Sequence, residues 1–87
     1  MAHRARSIGK SVHSSGHAAL CALLIEARDR AGLTQKQLAK RLGKHQSFVA
    51  KYEGGERRID VLEFLTITRA IGADPVRLLK ALIDRTI

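Results

Sequence analysis

A glutamine amide, with an acceptor and donors in one plane, is one of two side chains suited to bond adenine N6 and N7 together. Gln46 is such a residue, and Ser47, Ala50 and Lys51 complete one face of the same short segment. The Ala50 methyl can meet a thymine methyl, and Lys51 suits a guanine edge or a phosphate equally. Arg57 and Arg58 add two guanidinium forks that hold phosphate through paired hydrogen bonds, the alternative being a solvated charge run. The chemistry these types point to is noncovalent recognition of double-stranded DNA.

The charge distribution agrees. The 87-residue chain carries a formal charge of +8, yet the excess is not spread along it. Residues 1–17 hold three basic and no acidic residues, and residues 34–58 hold seven basic and two acidic, while 18–33 and 59–87 each balance. A solubility device would have been uniform; two basic segments mark a footprint on a polyanion.

Other chemistries fit less well. Ile8-Gly9-Lys10-Ser11 ends like a phosphate-binding loop, but Arg4 stands where the first glycine is required and no strand precedes it. His13, His17 and Cys21 would line one helical face as a metal triplet, an arrangement that Ser14-Ser15-Gly16 opposes. No serine, histidine and carboxylate grouping stands out, so the expectation is a non-enzymatic protein without cofactor or metal. The single cysteine, Cys21, excludes an internal disulfide and reads as a packing residue in a reducing compartment. Its neighbourhood, Ala18 to Ile25, is far shorter than the roughly 20 apolar residues of a membrane span, and the basic start lacks the apolar stretch of a secretory signal. A cytoplasmic protein is expected.

The elements that must position these groups are short helices; no segment alternates as a strand would. Residues 1–13 are expected to be a flexible basic arm, in which Arg4, Arg6 and Lys10 could lie along a groove of the DNA. Residues 14–87 then form one domain. Ser14 or Ser15 caps a first helix to about Ala31, with Leu20, Leu24, Ala27 and Ala31 on its core side; Leu23 and Ile25 are left to be covered by the fifth helix, the arm or a second subunit. Thr34 caps a second helix over 35–42, closed by Gly43, and a third runs from Gln46 to Glu53 with Val49 and Tyr52 inward. Asp60 and Glu63 form a capping box for a fourth helix, with Leu62, Leu65 and Thr68 to Ile71 turned inward. Asp74-Pro75 opens a fifth, to about Ile83. The fold class is all-α: five helices with a central pair of short ones joined by a tight turn.

That pair lies within Gly32-Leu33-Thr34-Gln35, Leu38 to Gly43 and Gln46 to Asp60, followed by Ile71-Gly72-Ala73-Asp74-Pro75. Together these segments resemble the phage repressor and Cro-like, or XRE-type, helix-turn-helix regulators, over about Leu20 to Leu79. The resemblance implies a compact repressor-like domain whose third helix enters the major groove. It makes Gln46 the first base-reading residue, followed by Ser47, Ala50 and Lys51, and Gln35 a phosphate contact at a helix N-terminus. Lys44, His45, Arg57 and Arg58 fall among the backbone contacts, with His45 where a capping serine or threonine is usual and Gly54 where some members place asparagine. Glu53 pairs with Arg28 of the first helix as a structural ion pair, and Phe48 is read as core edge.

The implied function is sequence-specific transcriptional regulation, most often repression, by a homodimer on a palindromic operator, since one short helix reads too few base pairs alone. The rival reading is an antitoxin-type interaction module that binds a toxin and controls its own operon; a controller of restriction-modification genes is a third.

Overall fold

The computed structural model describes residues 14–86, which form five helices in chain order: α1 Ser15–Arg30, α2 Gln35–Leu42, α3 Gln46–Glu53, α4 Val61–Ile71 and α5 Pro75–Thr86. The proposed arm, with Arg4, Arg6, Lys10 and His13, lies outside the described residues. Each helix begins where a side chain can accept from its unsatisfied N–H groups. Ser14 accepts from the His17 N–H at 3.1 Å, and Thr34 with Gln37 and Asp60 with Glu63 form reciprocal capping boxes. Asp74 accepts from the Val76 N–H at 2.9 Å, one residue past Pro75. Gly43 closes α2 at φ +66°, a left-handed conformation that lets the chain turn sharply into α3.

The core lies where α1, α2, α3 and α4 meet. Leu24, Ala27, Leu38, Ala39, Val49, Tyr52, Phe64, Ile67 and Ile71 form one buried cluster, edged by Leu20, Leu42 and Phe48. Small Ala39 sits in it at the α2 side, which lets α2 and α3 approach closely. α5 packs along α1, with Leu78, Ala81 and Leu82 half-buried on its inner side. Arg85 and Glu26 fasten the two helices at 2.9 Å.

Three expectations need correction. Leu62 and Arg69 are not inward: Leu62 is 73% exposed, Arg69 is exposed too, and Phe64, Ile67, Thr68 and Ile71 make the buried face. Helical phase is the reason, because 64, 67, 68 and 71 share one stripe and residue 62 stands about 200° away from 64. Ala31 is exposed, being the residue at which α1 ends rather than part of its stripe. α5 runs past Ile83 to Thr86. Leu23 is buried, on the same side of α1 as Gly16, which faces Thr86, and Glu26, which holds Arg85, the side along which α5 packs. Ile25 is half-buried beside Glu53, Gly54 and Gly55 on the other side.

This phase can be tested by urea unfolding. Phe64→Ala should lower stability by about 3–5 kcal/mol, and Leu62→Ala by no more than about 0.5 kcal/mol. Equal losses would mean that α4 is rotated from the position described.

Candidate nucleic-acid interface

The geometry of α2 and α3 is held from beneath by one carboxylate. Glu53 ends α3 with its side chain only 4% exposed. Three donors converge on it: Arg28 Nε at 2.7 Å, Arg28 Nη2 at 3.0 Å and Gln35 Nε2 at 2.9 Å. The third Arg28 nitrogen, Nη1, donates to the Leu33 carbonyl at 2.7 Å, which pins the turn between α1 and α2. Hydrogen bonding to Glu53 strengthens the hold of the Arg28 guanidinium on its proton. The ion pair implied by the resemblance is therefore present, and it reaches further than expected, into Gln35.

Gln35 continues the chain of bonds outward. Its Oε1 lies 3.5 Å from Gln46 Nε2, so the first residue of α3 leans on the first residue of α2. Gln46 is otherwise exposed, and its amide carries both an acceptor and donors, the pair that an adenine edge requires. Ser47, Ala50 and Lys51 are exposed beside it, whereas Val49 and Tyr52 are buried on the opposite side of α3.

His45 caps α3. Its Nδ1 accepts from the Ser47 N–H at 3.2 Å and lies 3.1 Å from Ser47 Oγ, so the imidazole does what a serine or threonine would do there. Between α2 and the start of α3 runs an open groove of about 700 Å³, lined by Thr34, Lys36, Gln37, Ala39, Lys40, Lys44, His45 and Gln46. Three ammonium groups and no carboxylate border it, and the N-termini of two helices open beside it. Lys36 and Lys40 escaped the sequence reading, although their spacing of four on an otherwise buried-faced α2 was a signal that both look out the same way.

Arg57 is engaged within the fold. Its two Nη atoms bond Glu63 at 3.1 and 2.7 Å, Nη1 also donates to the Arg58 carbonyl, and its guanidinium stands 4.8 Å from the centre of the Phe48 ring. The Lys44 ammonium stands 5.5 Å from the same ring, which itself meets Tyr52 edge to face. Phe48 is thus core edge and a platform for two cations. Arg58 is exposed. Cys21 is buried and donates to the Tyr52 carbonyl at 3.1 Å, with His17 Nε2 at 3.7 Å. Among the described residues no cluster could hold a metal ion, and no helix is long and apolar enough to cross a membrane.

Two short helices crossing on a left-handed glycine, the second with an exposed polar face at the mouth of a basic groove, define a helix-turn-helix domain. A family model described as helix-turn-helix matches residues 24–78. A solved XRE-family like protein from Pseudomonas syringae pv. tomato is 53% identical, with a TM-score of 0.80, over 87% of this chain and 93% of that one. The chain belongs to the XRE family of helix-turn-helix DNA-binding transcription regulators. The fold is shared at lower identity by the clp gene regulator ClgR from C. glutamicum, at 20% identity, TM-score 0.75 and coverage of 86% and 97%. It is shared too by the restriction-modification controller protein C.Esp1396I, solved as a tetramer with its natural 35 base-pair operator, at 18% identity, TM-score 0.76 and coverage of 84% and 96%. Comparison with curated proteins finds no match.

The Arg57–Glu63 pair carries a pH dependence of known sign. The Arg57 bonds, then the Asp60 N–H, hold the Glu63 carboxyl below the ordinary glutamate value of about 4.3. A depressed folded-state pKa gives stability that is complete at neutral pH and lost as pH falls through and below that value. Between about pH 6 and about pH 3, Glu63→Gln should therefore lose stability less steeply than the parent. Parallel curves in chemical unfolding would show that the pair contributes nothing.

Proposed function

We propose that this protein is a sequence-specific repressor that binds a palindromic operator as a homodimer. The observation that carries the reading is the basic groove of Lys36, Lys40 and Lys44 running up to the exposed Gln46, Ser47, Ala50 and Lys51. The lysines and the two helix N-termini suit a phosphate backbone, and the uncharged start of α3 suits base edges. Gln35 joins the two roles, as a group at the start of α2 that also orients Gln46. Lys44 and Arg58 extend the backbone contact, and Arg57 supports it from its seat on Glu63.

Dimerisation is supported by α5. Its inner side is packed, yet Val76, Leu79 and Ile83 are 70%, 43% and 53% exposed and fall on one outward stripe. Arg77 and Asp84 flank that stripe on the same side, so two antiparallel copies would set each Arg77 beside Asp84 of the other. The stripe and its flanking charges are self-complementary, which favours a second copy of this chain as the partner.

Reading and gripping are separable. On an operator obtained by selection from random duplexes, Gln46→Ala should cost about 1–3 kcal/mol, with random-duplex affinity hardly altered. Lys40→Ala should weaken both DNAs by similar factors and reduce the salt slope by about 0.9. If neither change affects either DNA, the regulator reading falls.

The dimer has its own measurement. Leu79→Glu should convert the protein to a monomer in sedimentation and weaken operator binding more than random-duplex binding. A parent that sediments as a monomer at high concentration would remove the dimer from the proposal.

A further inference from the structure

The imidazole that caps α3 has a second nitrogen, and the cap decides what that nitrogen can do. The Ser47 backbone N–H can only donate, so His45 Nδ1, 3.2 Å away, is the acceptor and carries no proton. In the neutral ring the single proton is then on Nε2. The Ser47 hydroxyl lies 3.1 Å from the same Nδ1. His45 is exposed, adjoins Gln46 in the chain and stands at the α3 end of the lysine-lined groove. No hydrogen bond within the described residues uses its Nε2.

Resting on the reading of the protein as a DNA-binding regulator, we infer that His45 is a specificity residue: the cap fixes its tautomer, and its Nε2–H is presented as a donor to a guanine O6 or N7 in the major groove. A histidine so held differs from the lysines around it. Ammonium groups rotate and grip any phosphate, whereas an imidazole held at Nδ1 presents one donor in one direction. Residues at the N-terminal end of a recognition helix are the ones that reach base edges. His45 also precedes Gln46, whose outward atoms suit adenine, so the two adjacent side chains present complementary demands on neighbouring base pairs.

The experiment uses variants that separate cap from donor. Serine caps a helix as well as histidine does here but is too short to place a donor at the ring's far edge; alanine does neither. The parent is first put through selection from random duplexes; if it selects no sequence, the regulator reading fails before this inference is reached. With the selected site in hand, His45→Ser should unfold at the parent's midpoint while His45→Ala unfolds lower. His45→Ser should bind the selected site about five- to tenfold more weakly, with random-duplex affinity unchanged. Repeat selection with His45→Ser should relax a guanine preference at one position. Equal losses on both DNAs would overturn the inference in favour of a phosphate contact. An undiminished site affinity and preference would overturn it in favour of a cap alone.

Discussion

The structure depends on a charge placed inside it. Glu53 is the last residue of α3, and a carboxylate there, almost wholly out of water, would be prohibitive without partners. Arg28 supplies a fork that matches it, and Gln35 supplies a third donor, so that α1, α2 and α3 are fixed to one another through three hydrogen bonds to a single carboxylate. A well-packed apolar pair could equal the stability of such a bridge. It could not accept from Gln35, and the orientation of Gln35 is what passes to Gln46. The ion pair is better understood as a device of position than as a source of stability.

That device works only because the backbone around it has few alternatives. The domain is small, and its core is one cluster in which Leu38 and Val49 are completely buried. α2 and α3 have eight residues each, too short to persist alone. Their caps, the Gly43 turn and the buried faces of Leu38, Ala39, Val49 and Tyr52 supply what intrinsic helicity lacks. α5 braces the opposite side of α1, so the helix that carries Arg28 is held from two directions.

Much of this was legible in the residues. The caps at Thr34, Asp60 and Asp74 and the glycine stops follow from local chemistry, and the structure places them as read. The Arg28–Glu53 pair needed the resemblance, since nothing in a separation of 25 residues says that two charges meet. Phase was the weak point: Val61, Leu62, Phe64, Leu65 and Ile67 are all apolar, so composition could not say which of them turns inward, and the stripe through Phe64 emerged only when α4 was packed. Long-range engagements were also hidden. Arg57 looks in sequence like a phosphate ligand, yet the Asp60–Glu63 capping box brings a carboxylate to it, and Phe48 gives its planar group a face to lie on.

The division of charge across the interface has a consequence for how such a surface discriminates. Basic side chains stand along α2 and in the turn, while the residues that begin α3 are an amide, a hydroxyl and an imidazole with no net charge when neutral. Affinity contributed by the lysines is common to all DNA and falls as salt rises. Hydrogen bonds from the neutral groups are worth little on a mismatched edge, where a desolvated donor or acceptor is left unpaired. On the proposed function, raising salt therefore removes the common part faster than the selective part, and of the groups that would set the ratio of operator to random binding, Gln46 leans through Gln35 on the buried carboxylate of Glu53.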